Sequence, residues 1–516
     1  MVDLAEEYAA LSYVWGEGAR LILTDSTRGT LERPGGLSRD RTETPQTFVE
    51  AMGIARRLGF SYLWIDAICI KQDDPPEMTK QMGFMDKIYA CAELTIVSDA
   101  SSVHAGIPGF QEGSRRPAQL SYRGDHIDLI ALQTGPFIDP SLSPWSRRAW
   151  TFQEDVLSRA LLVLAHDQAY YMCRSALYRE DLVCESTTIN VVPDGSGNDK
   201  EAERWQFRQV EADVDPDELF IHRLERFTKR NLTFPEDAIK AFAGVLVSLY
   251  PCHFGLPRHI FTATMNWTFR LRPRMAARNS NFPSWTWAGW TFGEAGVVGG
   301  AWFMPRHAVH YPRSSPDYDV RWYEVLDGGQ QQLVNDDPFT LSSFDQHDAP
   351  LLPGYQVGQV YDSPTLPPMR PSSSILNLPH RGHFLRFWAI GAFLTVSREA
   401  EPREHPLWKL LPPAEPIDTY RISVPGCPGK VLGSVSLDRL WRAQHPDSLY
   451  FFVVSRNSEK NHPAFNTMLI AFKGEISQRI QVAVLSAGGC TSDDPSVRTK
   501  SMWLDAMPAW RLITLA

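Results

Sequence analysis

The chain lacks the features that define several large protein classes. No C-x-x-C pair occurs, and the seven cysteines, Cys69, Cys91, Cys173, Cys184, Cys252, Cys427 and Cys490, are odd in number and widely scattered. That pattern argues against a disulfide framework and predicts a reducing compartment. Basic residues are not in excess: Lys plus Arg total 51 against 60 Asp plus Glu, a formal charge of −9, the wrong sign for gripping phosphate backbones. Nucleic acid is therefore not expected as a partner. The longest apolar run, Phe387 to Val396, is about half of the ~20 residues a membrane helix needs. The opening MVDLAEEYAALSYVWG carries two early glutamates and no basic flank before an apolar stretch, so neither a secretory nor a transit leader is read there. The expected location is cytoplasmic, which leaves the sequons Asn231-Leu232-Thr233 and Asn266-Trp267-Thr268 idle.

Familiar catalytic signatures are missing as well. There is no Walker loop, no G-x-S-x-G elbow, no H-E-x-x-H and no kinase set. His307-x-x-His310 and His380-x-x-His383 have metal-like spacing, yet neither has a Cys or carboxylate cluster beside it, so no metal site is expected. Gly293, Gly296 and Gly299 lack a strand-loop-helix context and read as a turn.

What is present is ordinary globular composition, 43% hydrophobic and 22% charged, which predicts a folded chain with ample core. Tyr8 to Val14 reads as a buried strand ending in the turn Trp15-Gly16-Glu17-Gly18. Thr44 as N-cap with Pro45 at the first helical position, then Phe48, Ala51, Ala55 and Leu58 at helical spacing and Gly59 beyond, predicts a helix. Tyr62 to Ile65 reads as a short buried strand in the sheet interior. Met78, Met82, Met85, Tyr89 and Ala92 mark one amphipathic helix, and Leu94 to Val97 a third strand. Strands and helices alternating with short links imply a parallel sheet covered by helices. A hairpin is expected across Arg123-Gly124-Asp125, then a helix opened by Ser143 and Pro144 through Val156, then a strand pair, Ala160 to Leu164 and Ala169 to Cys173.

The segmentation that follows is an α/β domain over residues 1–185, a linker over 186–200, a helical and Trp-rich segment over 201–312, an irregular insert over 313–375 and a β-rich region over 376–516. Trp285, Trp287 and Trp290, beside Phe282 and Pro283, read as core or interdomain packing rather than a sugar or base platform.

The most specific signal is a series of blocks in order. Leu11-Ser12-Tyr13-Val14-Trp15-Gly16, Thr44-Pro45-Gln46-Thr47-Phe48, Leu58 to Asp74, Met85 to Val97, Gly106-Ile107-Pro108-Gly109 and Pro144 to Glu154 together resemble the fungal heterokaryon incompatibility (HET) domain. Arg230-Asn231-Leu232-Thr233 and Phe282 to Trp290 are similar to segments that follow that domain in many such proteins. The chain enters at the first block without the strand-like lead the family usually shows, which predicts an incomplete sheet edge, and the stretch between Gly109 and Pro144 does not align. The resemblance implies a role in non-self recognition and regulated cell death. It also implies a distant likeness to Toll/interleukin-1 receptor (TIR) domains, and so a TIR-like, flavodoxin-like sheet. In some TIR domains a helical glutamate supports cleavage of the nicotinamide glycosidic bond of NAD. Trp150-Thr151-Phe152-Gln153-Glu154 resembles that helix, which makes Glu154 the candidate catalytic residue. NAD would be a substrate rather than a resident cofactor.

The residues themselves leave two readings of Glu154 open. Arg147, Trp150 and Glu154 are spaced i, i+3 and i+7, so one helix face would carry all three. In a pocket the carboxylate could hold a ribose hydroxyl and stabilise an oxocarbenium-like transition state, with Trp15 or Trp150 stacked on a flat ring. Alternatively it is a structural ion pair with Arg147 or Arg148. Tyr13, Trp15, Gly16 and Asp66, at the carboxyl ends of strands where open α/β sheets bind ligands, complete the candidate substrate site with Arg147 and Trp150. For Asp66 a loop-holding role is the favoured reading. Cys69, flanked by Ile68 and Ile70, is expected to be buried and inert. The alternative to an enzyme is a signalling module that binds protein partners or itself through the HET domain.

Overall fold

The computed structural model describes residues 6–17, 21–38, 44–114, 121–123, 128–130, 143–166, 168–174, 176–180, 216–247, 251–269, 277–291, 301–303, 320–326, 330–334, 383–401, 417–457, 464–486 and 502–516. The 186–200 linker and most of the 313–375 insert lie outside them. The chain divides into two compact units. The first is Met1–Leu219 with Arg230–Leu232 and Lys240–Ser248, and the second is Phe220–Lys229, Thr233–Ile239 and Leu249–Ala516.

The first unit is built on a mixed, mostly parallel sheet. Its strands are β1 (Tyr8–Ser12), β2 (Tyr62–Trp64), β3 (Leu94–Ser98), a short separate hairpin β4 (Ser121–Arg123) and β5 (Asp128–Ile130), then β6 (Ala160–Leu164), β7 (Ala169–Cys173) and β8 (Leu177–Arg179). Sheet order is β2-β1-β3-β6-β7-β8. The β1–β2, β1–β3 and β3–β6 pairs are parallel, as alternation with helices requires, whereas β6–β7 and β7–β8 are antiparallel. The turn between β6 and β7 is too short for a crossover helix, so those two strands can pair only as a hairpin.

Several expectations need correction. Tyr62–Trp64 lies at the sheet edge with β1 as its one neighbour, and Tyr62 is exposed, so it is not a buried interior strand. An apolar and aromatic run of this length reads the same at a sheet edge as in its centre. The helix after residue 44 is α2 (Gln46–Arg57), following α1 (Asp25–Leu31); Pro45 occupies the N-cap and Thr44 makes no capping bond. After α3 (Asp66–Cys69), the single helix expected through Met78 to Ala92 is two, α4 (Pro75–Met82), capped by Asp74, and α5 (Met85–Cys91), because Gly83 and Phe84 break the turn. The helix carrying Glu154, α6 (Trp150–Leu157), begins six residues after Pro144, and Ser143 to Ala149 form turns instead.

Side-chain alternation on β1 sorts the unit into layers. Ala9, Leu11 and Tyr13 join Phe48, Ala51 and Ala55 of α2 on one face. Ala10 faces Met85 and Tyr89 of α5 and Ala92 just beyond it, with Trp150 of α6 packed alongside. Between α7 (Pro216–Phe227) and α8 (Lys240–Val247), residues 230–232 return to α6: Ala149 donates to the Asn231 carbonyl at 2.9 Å, and Phe242 of α8 packs on Phe152 at 5.9 Å between ring centroids.

The second unit contains a closed antiparallel barrel, more ordered than "β-rich" conveys. Strands β9 (Phe384–Ala400), β10 (Ile417–Val424), β11 (Cys427–Asp438), β12 (Ser448–Asn457), β13 (Ala464–Lys473) and β14 (Ile476–Ser486) run round the ring β9-β10-β11-β14-β13-β12 and back to β9. A further strand, β15 (Ala509–Leu515), pairs along the first half of β9. Leu394, Val396, Ile422, Phe451, Leu469 and Leu485 fill the interior. Within the expected irregular insert, Tyr323–Val325 and Gln331–Leu333 form a hairpin whose first strand pairs with β9. Trp285 and Trp287 are buried, and the Trp287 and Trp290 indoles donate to the Gly255 and Ser284 carbonyls at 3.0 and 2.8 Å, which makes them packing residues. Among the described residues no helix is long and apolar enough to cross a membrane, and no His, Cys, Asp and Glu group could hold a metal ion.

Candidate functional site

The carboxyl end of β1 gathers the chemistry. Ser12, the last residue of β1, is on the Ala10 face, so its hydroxyl points at α6, where it donates to Glu154 Oε2. Trp145, in the turn before α6, donates its indole N–H to the same Ser12 oxygen at 2.5 Å. That turn is fixed from β3: Asp99, just beyond the strand, accepts from the Ser143 hydroxyl at 2.5 Å and the Trp145 amide at 3.3 Å. Tyr89 of α5 completes the enclosure, its hydroxyl 3.1 Å from the Leu11 carbonyl it donates to and also hydrogen-bonded with Glu154.

Glu154 is 6% exposed, and among the described residues it forms no ion pair. Burial pushes its carboxyl up from 4.5 to about 7. The Ser12 hydroxyl pulls it back, the Asp66 charge raises it, and the Arg148 charge and the Tyr89 hydroxyl lower it. A carboxylate held near neutrality without a cationic partner is poised to exist in either ionisation state.

A second group sits on the other face of β1. Tyr13 donates to Asp66 Oδ1 at 2.8 Å and the Trp15 indole to Asp66 Oδ2 at 2.7 Å, while the Ala67 amide adds 2.7 Å to Oδ1. Burial raises the Asp66 carboxyl, and the Tyr13 and Trp15 donors oppose it; burial likewise raises the Tyr13 phenol, helped by the Asp66 charge. Gly16 turns at φ +72°, and a side chain there would meet Cα and Cβ of Ser102 at 2.9 and 2.8 Å, so only glycine fits. Arg148 spans the two groups: it donates to the Tyr13 carbonyl at 2.8 Å, and its charge acts on both Asp66 and Glu154.

The structure thus brings Tyr13, Trp15, Gly16 and Asp66 together and places Glu154 with Ser12, Trp145 and Tyr89 on the opposite face. Trp150 lies one turn before Glu154 on the same side of α6, as expected, whereas Arg147 falls outside the helix. Arg147 precedes α6, in a turn where its amide donates to the Ser143 carbonyl at 3.2 Å, and Trp150 packs beside Met82, Met85 and Tyr89. Cys69 is exposed rather than buried, because α3 is a single turn at the surface. Its thiol nonetheless turns inward, accepting from the Ile65 amide at 3.5 Å, and burial raises it, the opposite of an activated nucleophile.

Sequence reasoning passed over Ser12, Trp145, Tyr89 and Asp99 as site residues. The available signal was Ser12 itself, a polar residue at an inward position of an otherwise apolar strand. Arg230 was also unplaced: its guanidinium lies 3.3 Å from Asp155 of α6, donates 3.0 Å to Thr151 and covers the Phe152 ring at 4.9 Å.

Comparison with known proteins agrees with this geometry. The family model described as "Heterokaryon incompatibility protein (HET)" matches residues 8–154, from the start of β1 to Glu154. Heterokaryon incompatibility protein 6, OR allele, of Neurospora crassa is 34% identical over 94 residues, which cover 17% of this chain and 14% of that protein. No solved structure matches the chain. Strand β1, the turn at Gly16, the strand-end Asp66 and the helix bearing Glu154 all fall inside the matched span, and the chain carries a HET domain over residues 8–154.

Proposed function

We propose that this chain acts in fungal non-self recognition and regulated cell death, and that its HET domain hydrolyses the nicotinamide glycosidic bond of NAD with Glu154 as the working carboxylate. The observation that carries the reading is a buried carboxylate, without an ion pair among the described residues, at the carboxyl end of a parallel strand, raised to about 7. The sheet begins in the order two-one-three and continues with β6, as flavodoxin-like folds do with their fourth main strand, before β7 and β8 turn back antiparallel, which supports a TIR-like ancestry.

In this reading the bond between ribose C1′ and the nicotinamide ring nitrogen breaks and its electron pair returns to the ring, discharging the pyridinium. The ribose carries the positive charge left behind, which ionised Glu154 stabilises. Water then adds at C1′ and releases a proton.

A second reading is favoured by one observation: Glu154 is only 6% exposed, as a structural carboxylate would be. The HET domain would then work by binding protein partners or copies of itself. The deciding measurement is nicotinamide release from NAD by the full chain, free and artificially clustered. Glu154→Gln should lower the rate on the order of 100-fold or more. A clustered wild type that releases none rejects the enzymatic reading in favour of assembly, and equal rates for wild type and variant remove Glu154 from the mechanism.

A further inference from the structure

A hydroxyl has one proton to give and two lone pairs to receive with. Ser12 is 1% exposed, and one lone pair is taken by the indole of Trp145, which can only donate. Its proton goes to Glu154 Oε2. The alternative direction, in which a protonated Glu154 donates to Ser12, would leave the Ser12 proton buried with no acceptor in its hydrogen-bond set. We propose that Trp145 and Ser12 form a one-way hydrogen-bond relay that fixes Glu154 as an acceptor, so that both are positioning residues for its carboxylate. Asp99 anchors the relay by holding the Trp145 amide and the Ser143 hydroxyl.

Two opposed demands explain such a device. Enclosure of Glu154 favours its neutral form, which cannot stabilise a developing cation, and a donor aimed at Oε2 favours the charged form without placing a neutralising cation beside it. A charged arginine at the same point would achieve ionisation but cancel the field the carboxylate is there to supply. The relay supplies ionisation alone. The groups facing Glu154 are Ser12 of β1, Tyr89 of α5, Arg148 of the turn before α6, and Asp66 at the end of β2; Tyr13, beyond Ser12, feels its charge.

The inference rests on Glu154 being the working carboxylate, but its test does not require turnover. In the full chain carrying 13C-labelled glutamate, the side-chain carboxyl signal of Glu154, assigned by its loss in Glu154→Gln, is titrated from pH 4 to pH 9. Ser12→Ala should move the midpoint up by about 1–2 pH units, the worth of one hydrogen bond to a charged group. Trp145→Phe removes the N–H together with the pyrrole half of the buried indole, so the freed Ser12 hydroxyl is no longer directed and the midpoint should rise by a smaller amount. A downstream consequence is that the acid limb of any nicotinamide-release profile rises in parallel in both variants. An unmoved midpoint in Ser12→Ala overturns the relay, and one that moves in Ser12→Ala but not in Trp145→Phe removes Trp145 from it. Should the folding of Ser12→Ala be lost, Trp145→Phe and Asp99→Asn carry the test, and unmoved midpoints in both reject it. Shifted midpoints with no nicotinamide release would leave the relay standing and reject the enzymatic reading instead.

Discussion

The two units treat buried polar groups in contrasting ways. In the barrel unit Arg442 and Arg479, both 1% exposed, are spent chiefly on backbone carbonyls. Arg442 donates to the Val396 carbonyl at 2.6 Å, the Ser397 carbonyl at 3.1 Å and the His445 carbonyl at 3.0 Å, and Arg479 bonds the Trp267 and Trp285 carbonyls while lying 3.5 Å from the Trp267 ring. His253 stacks flat on Trp285 and is pushed down to about 4 by burial, which keeps it neutral. In the HET unit the buried charges are carboxylates at strand ends and on the helices behind them: Glu50, Asp99, Asp155, Asp66 and Glu154. Glu50 is saturated by Gln46, Gln111 and the Ile107 amide, and so clamps the Gly106 loop. Burial raises Glu154 to about 7. Arginines on carbonyls tie segments together, whereas a carboxylate that can change its charge at a sheet's ligand-binding end can do chemistry. The comparison places packing arginines in one unit and a titratable carboxylate at a strand end in the other.

The sharpest way to break this contrast is Arg230→Met. It strips the buried Asp155 of its cation at the back of α6, and it should destabilise the HET unit by about 3–5 kcal/mol. A midpoint of chemical denaturation unchanged from wild type would show that residues 230–232 are not part of that unit's support. Next is Leu394→Ala in the barrel interior, expected to cost about 2–5 kcal/mol through transfer and cavity terms while leaving the Glu154 titration where it was. A displaced titration would mean that the carboxylate and the barrel interior are not independent.

The pH dependence of stability offers a third measurement. Because the folded chain holds Glu154 near 7 against an ordinary 4.5, it binds the proton more tightly than the unfolded chain does between those values. The resulting stability is fully present below about pH 4.5 and is lost as pH rises through about 7, on the order of 3 kcal/mol in all. Glu154→Gln should therefore flatten the wild-type decline in this window. Parallel slopes for the two proteins would mean that the carboxyl titrates normally. The smallest effect is expected from Tyr13→Phe, which removes one donor from Asp66 and should cost about 1 kcal/mol by denaturant titration; a loss above about 3 kcal/mol would make the Tyr13–Asp66 bond a structural keystone rather than one of three.

The sequence by itself determined the parallel start of the sheet, the approximate places of α2 and α6, the glycine turn at residue 16, the packing role of Trp285 and Trp287, and the HET blocks. Each is encoded locally, in hydrophobic period, turn residues or contiguous motifs. It misjudged what depends on partners distant in the chain. The edge position of β2 and the reversal at β7 follow from which strands pair. Strand β11 escaped detection because Pro428, Gly429 and Gly433 disguise it, and Gly433 is tolerated because the Val484 carbonyl passes 2.5 Å from where a Cβ would sit. Barrel closure needs β9 to meet β12, more than fifty residues later. At the site, the sequence identified Glu154 and Asp66 as carboxylates on a helix and at a strand end. Only the tertiary structure decided that Glu154 answers to Ser12 and Trp145 rather than to Arg147. A hydroxyl from the first strand, an indole from a turn some 130 residues on and a helical carboxylate share no local pattern, and they meet because the sheet order places β1 beside β3 under the segment that leads into α6.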